Sequence, residues 1–273
     1  MRIEDYPPQE PMPKFALDYA DEVMRRGEGV RCTDHTYGAD PYQGIALQIP
    51  DEPNGTILAF VHGGGWTSGY KEQMNFIGPS VTAAGVIFAS IGYRLAPGNV
   101  FPACADDIAA AIAWLHDHAA EFGGEPGRIF AGGHSAGGHL TSLLAVRQDW
   151  QSAYGLPESV IRGCLPVSGA YRFGKDSGLS MRPRFLGEDV ENDRLASPVL
   201  NISAAPPFFF ACGENDFPHL IEQTHEMASA LCASGGEVEE MVLTDCDHLG
   251  ACLSLGDSGN AWVAAALDWM AAH

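Results

Sequence analysis

Basic residues are scarce in this sequence. Of 273 residues only 15 are Lys or Arg, against 35 Asp and Glu, and Lys14, Lys71 and Lys175 are the only lysines. The resulting formal charge of −20 repels phosphate backbones and anionic bilayers, so neither nucleic acid nor membrane is an expected partner. Acidic self-repulsion that keeps a chain dispersed accounts for the imbalance, with a saline habitat as the other source. No apolar stretch approaches the ~20 residues of a membrane span. Met1 to Lys14 lacks the charged start and apolar run of a secretory signal, which points to a cytoplasmic location. Seven cysteines are present, but no two stand in C-x-x-C spacing. They are expected to be reduced and mostly buried, and no metal site is indicated. The glycines and prolines are scattered rather than periodic, which excludes collagen-like and low-complexity chains.

What is present is an ordinary globular composition, 46% hydrophobic and 18% charged, in one domain spanning residues 1–273. Short apolar runs bounded by Gly, Pro or Asn read as strands buried on both faces. They cover Thr56–Val61, Val86–Ile91, Arg128–Ala131, Cys164–Val167, Pro207–Cys212 and Val238–Leu243, with Gly44–Ile49 as an outer strand. Helical patterns fall at Phe15–Arg26, Ala103–Glu121, Ala136–Val146, His219–Ala233 and Ser258–Ala272. Asp106 and Asp107 then sit in a first helical turn, where the dipole favours them. The alternation predicts an α/β fold with a mostly parallel sheet flanked by helices. Gly174–Gly187 reads as an irregular linker.

Two glycine-rich segments carry the chemistry. In Gly133-His134-Ser135-Ala136-Gly137 a strand runs directly into a helix, the G-x-S-x-G context that exposes a serine Oγ on a sharp turn. The Ala136 N–H then lies at a helix N-terminus, where an oxyanion can form. The second segment, His62-Gly63-Gly64-Gly65-Trp66, follows a strand. Its glycines permit close backbone approach to a substrate oxygen, and Gly64 and Gly65 are the expected further donors of an oxyanion hole. A serine nucleophile needs a base and an orienting acid. His248 follows the last strand, and Asp216 follows the one before it, so both fit the chain order nucleophile, acid, base. Glu214 is second to Asp216, while Asp245 and Asp247 are expected to shape their loop. His62 is expected to brace its loop, His139 to pack, and an Asp216–His219 metal pair lacks further ligands.

With HGGGW, YRLAP at Tyr93–Pro97, FPA at Phe101–Ala103 and GHSAGGHL at Gly133–Leu140, the chain resembles the α/β-hydrolase superfamily from Thr36 onward. Within it, the likeness is to hormone-sensitive-lipase-like esterases and to kynurenine formamidases. The resemblance implies an α/β-hydrolase fold and a cofactor-free serine hydrolase acting on small carboxylic esters. The alternative substrate is an N-formyl arylamide; a non-catalytic binding protein would be expected to have lost a triad member or the glycine loop. Residues 1–35 are expected to form a partial lid rather than a large cap domain. Trp66 and Tyr19 are the expected substrate-binding side chains, and a homodimer is the one protein assembly entertained.

Overall fold

The computed structural model describes residues 2–273. Eight strands form one sheet: β1 (Thr33–Thr36), β2 (Gly44–Gln48), β3 (Gly55–Val61), β4 (Ile87–Ile91), β5 (Gly124–His134), β6 (Ile161–Val167), β7 (Phe208–Gly213) and β8 (Val238–Leu243). Their spatial order is β1-β2-β4-β3-β5-β6-β7-β8. Only β2 runs against the rest; β1, antiparallel to β2, points the same way as the other six. The helices are α1 (Lys14–Arg26), α2 (Gly78–Thr82), α3 (Ala103–His118), α4 (Ala136–Val146), α5 (Asn192–Leu195), α6 (Pro218–Ala233), α7 (His248–Ser254) and α8 (Ala261–Ala272).

Period-2 alternation feeds two cores at once. Ile57, Ala59 and Val61 of β3 face a layer that includes Ile108 and Ile112 of α3, Leu140 and Leu143 of α4, and Met227 and Leu231 of α6. Leu58 and Phe60 face the opposite layer, with Val23 of α1, Val81 of α2 and Trp262 and Trp269 of α8. Each fully buried side chain of this size contributes roughly 1.5–3 kcal/mol by leaving water.

Three expectations need correction. Gly44–Ile49 is not the outer strand, because the polar Thr33–Thr36 pairs beyond it. Asp107 lies just past the first turn of α3, where Asp106 alone sits, and is a buried anchor: it accepts two-pronged hydrogen bonds from the Arg94 guanidinium at 2.7–3.0 Å and one from Gln43 at 2.8 Å. Gly174–Gly187 is no mere linker, since its Phe185 and Leu186 are completely buried.

The topology fixes where chemistry can occur. From β3 the chain crosses to β4 on one side and then to β5 on the other, so β3 and β5 flank the point where the winding reverses. In such sheets, ligands bind outside the carboxyl ends of the strands at that point. The parallel register pairs Val61 with Gly133, so the segments that follow, His62–Trp66 and His134–Ala136, emerge side by side.

Candidate active site

Ser135 joins β5 to α4 with φ 55° and ψ −116°, a left-handed turn costly for any residue but glycine. Its neighbours make the turn possible. A Cβ on Gly137 would lie 2.0 Å from the Val61 carbonyl oxygen, and one on Gly133 would lie 2.5 Å from the Gly137 carbonyl carbon. The turn is pinned by the Ser135 N–H donating to the Val167 carbonyl at 2.9 Å and the His139 N–H to the Ser135 carbonyl at 3.0 Å.

The glycine loop is held from behind by the YRLAP segment. The Tyr93 ring stacks on His62 at 4.4 Å, and the Ala96 N–H donates to the Trp66 carbonyl at 2.9 Å. His62 donates from Nδ1 to the Gly63 carbonyl at 2.7 Å, so it braces the loop. Gly64 has φ 108°, and a Cβ there would meet the Ser68 carbonyl at 2.0 Å. The Gly64, Gly65 and Ala136 N–H groups make no hydrogen bond elsewhere in the chain among the described residues.

His248 and Asp216 meet Ser135 from separate strand ends. The Ser135 hydroxyl donates to His248 Nε2 at 3.0 Å, and His248 Nδ1–H donates to Asp216 at 2.8 Å. Asp216 also accepts from the Ser168 hydroxyl and from the Phe217 N–H, the latter at 2.7 Å. Burial pushes its carboxyl pKa up, but the hydrogen bond and charge of His248, with the Ser168 and Phe217 donors, outweigh it and hold the group below the ordinary carboxylate range. His248 opens α7, a short helix without an apolar repeat to mark it; Asp247 caps it by accepting from the Gly250 N–H at 2.7 Å. Asp245 takes the left-handed turn before it, and its N–H donates to Glu214, so these acids shape the loop.

A cleft with two lobes opens on Ser135. The first, about 300 Å³, has Phe15, Tyr19 and Met12 on its N-terminal wall and Gly64 and Gly65 opposite. The second, about 320 Å³, is walled by Trp66, Leu179, Met181 and Leu220. Ser135, His248, Arg184 and Phe217 border both. Tyr19 thus lines the first lobe, its hydroxyl donating to Cys252 Sγ at 3.0 Å. Trp66 walls the second lobe with only a small part of its surface. Its ring is only 5% exposed, stacked on Phe185 at 4.4 Å, and its N–H donates to His139 Nδ1 at 3.0 Å. His139 donates in turn from Nε2 to the Ala196 carbonyl at 2.7 Å, so it does pack. Among the described residues no three His, Cys, Asp or Glu side chains group as metal ligands, and no helix is long and apolar enough to cross a membrane.

Sequence reasoning missed Ser168, Arg184 and Phe217. Ser168 had a faint signal, a hydroxyl directly after a strand at the same sheet end. Arg184 had none, since its place depends on how residues 174–187 fold over the cleft.

A family model described as alpha/beta hydrolase fold matches residues 58–251. Probable carboxylic ester hydrolase LipM of Mycobacterium tuberculosis is 33% identical over 177 residues, which cover 59% of this chain and 41% of that protein. Esterase LipC of the same organism is 32% identical over 234 residues, covering 78% and 58%. The chain therefore spans roughly two fifths to three fifths of these relatives. Among solved structures, an esterase of Pyrobaculum calidifontis superposes with a TM-score of 0.76 at 21% identity, covering 96% of this chain and 95% of that one. The thermophilic carboxylesterase EstE1, cloned from a metagenomic library, superposes with 0.74 at 22% identity, covering 95% of each. Sheet order, the serine turn at the winding reversal and the matched span agree: the chain belongs to the alpha/beta hydrolase fold family.

Proposed function

We propose that this protein is a serine hydrolase that cleaves small carboxylic esters. The observation that carries the reading is the continuous hydrogen-bonded series from Ser135 through His248 to Asp216, at 3.0 and 2.8 Å. Ser135 Oγ attacks the ester carbonyl carbon as His248 Nε2 takes its proton. The oxygen that becomes negative sits against the N–H groups of Gly64, Gly65 and Ala136, residues that line the cleft and whose N–H groups have no hydrogen-bond partner among the described residues. Asp216 keeps the imidazole in the Nδ1–H tautomer and balances the imidazolium. Collapse expels the alcohol, which leaves with the proton from Nε2. Water then enters along the same route, giving up a proton to His248 as it attacks the acyl-serine, and the acid departs when Ser135 recovers its proton.

The names of the curated relatives favour an ester over a formamide. Two lobes of about 300 Å³ suit a short acyl group on one side of Ser135 and an aryl or alkyl leaving group on the other. The N-terminal segment acts in this reading as a partial lid.

The test is labelling with a serine-directed organophosphorus reagent followed by peptide mapping, alongside Ser135→Ala. One label per chain on Ser135 is expected, and turnover of p-nitrophenyl acetate should fall about 10⁴–10⁶-fold in a variant that stays folded. Labelling at another residue, or near-normal turnover by Ser135→Ala, removes the proposal. Faster hydrolysis of an N-formyl arylamide than of the acetate would redirect it to the formamide.

A further inference from the structure

His134 occupies the variable position of the serine turn, and the reaction steps above leave it unused. It is 2% exposed, and three segments converge on it. Its ring centroid lies 4.7 Å from that of His248. Its Nε2 is 2.9 Å from the main-chain carbonyl oxygen of His248. On another side it abuts the glycine loop so closely that a Cβ on Gly63 would lie 3.1 Å from His134 Nδ1. Tyr19 of α1 lies 6.4 Å away, ring to ring.

A carbonyl can only accept, so His134 must carry its proton on Nε2 and donate it. Burial, with the charge of His248 adding to it, pushes the His134 pKa down to about 3, so the ring is neutral wherever His248 works as a base. The other supports of the base loop come from its own acids and from the end of β7: the Asp247 cap, and the Asn215 N–H donating to the Cys246 carbonyl at 2.9 Å. The His134 bond alone among these runs to the residue next to the nucleophile.

We propose that His134 is a positioning residue, whose Nε2–H, donated to the His248 main-chain carbonyl, fixes the distance between the base and Ser135. The inference rests on the serine-hydrolase reading, but one of its tests does not depend on turnover. Reactions of this kind lose about a hundredfold in rate when reacting groups shift by about an ångström. The bond therefore acts on kcat; the ring also borders the first lobe, where a side chain of similar size keeps the wall in place.

Two substitutions separate donation from packing. His134→Phe keeps a ring in the space but has no N–H; His134→Gln places an amide N–H near the former Nε2. With p-nitrophenyl acetate, the Phe variant is expected to lose about ten- to a hundredfold in kcat with little change in KM, and the Gln variant to recover to within about threefold of the parent. The Phe variant turning over like the parent, or both failing alike, overturns the proposal. Nitrogen-detected NMR of the unmodified protein supplies the independent test: His134 must show the Nε2–H tautomer, and an Nδ1–H tautomer overturns the inference even if Ser135 proves to be the nucleophile. Conversely, an active Ser135→Ala variant would end the serine reading whatever tautomer His134 shows.

Discussion

Lowering the pH from 7.5 to 5.0 should destabilise this protein far more than its surface charge suggests, because three buried imidazoles must stay neutral. Burial pushes His62 and His139 down from 6.5 to about 4, and His134 to about 3. Unfolded, each titrates near 6.5 and takes up a proton that the native state withholds. The unfolded chain therefore binds more protons throughout this window, so stability is full above about pH 7 and falls as the pH drops through 6.5 towards 4 and 3. At pH 5.0 the gap from 6.5 is about 1.5 units, which at 1.36 kcal/mol per unit is about 2 kcal/mol for each imidazole and about 6 kcal/mol for the three. That is comparable with the whole stability of many domains, about 5–15 kcal/mol. His273 works the other way: burial lowers it, but the Trp269 carbonyl and Glu237 raise it on balance, and the exposure of Glu237 leaves this offset small.

The assay is urea denaturation at the two pH values, with enough salt to screen the −20 charge. His139→Gln supplies the internal control. It should be less stable at pH 7.5, having lost the Trp66 and Ala196 hydrogen bonds, yet should lose about 4 rather than about 6 kcal/mol on acidification. Parent stability within about 1 kcal/mol at the two pH values, or an unchanged pH increment in His139→Gln, would refute the reasoning.

Four further outcomes are expected. Ser168→Ala removes a hydroxyl that stabilises the Asp216 carboxylate, so Asp216 should protonate at a higher pH and the acidic limb of the kcat/KM profile should move up in pH. Gly137→Ala places a methyl against the Val61 carbonyl in a turn with no room to relax, and thermal melting should show a loss of about 4 kcal/mol or failure to fold. Asp107→Ala leaves Arg94 and Gln43 without their shared partner, and denaturation should report a cost of about 3 kcal/mol or more. Across p-nitrophenyl esters of two to twelve acyl carbons, kcat/KM should fall steeply beyond about four, each unplaced methylene forfeiting roughly 0.8 kcal/mol; an optimum at eight or more would contradict the short-acyl reading.

What the sequence displayed and what it hid follow one division. Strands buried on both faces announce themselves by apolar runs between turn residues, so β3 and β4 lie within one residue of the pattern; β8, an exposed edge strand, and α4, whose glycine-rich start marks the preceding turn, fall on the residues it indicates. Residues directly after such strands inherit a position from the sheet, and for that reason Ser135, Asp216 and His248 could be picked out from chain order before their geometry was known. β1 was illegible because Thr-Asp-His-Thr has neither alternation nor apolar content. The packing of Trp66 was illegible because its surroundings, Phe185 and His139, are remote in sequence and say nothing locally of the box they build. The same holds for Arg184 and for Asp107, whose roles depend on which distant segment folds against them.

The wall of the first lobe is attached to the sheet rather than grown from it. The segment before α1 docks through a few separable contacts: Gln9 exchanges two hydrogen bonds with Gly69 at 2.8 Å, Tyr42 donates to the Pro7 carbonyl, and Tyr6 donates to Glu72. The reacting groups, by contrast, are indexed by strand register. Substrate range and chemistry are thus encoded in different stretches of chain, and the first can be rewritten without disturbing the second. A library confined to Met12 and Phe15, with Tyr19 kept on Cys252 of α7, would vary what the cleft admits while leaving the spacing of Ser135, His248 and Asp216 unchanged.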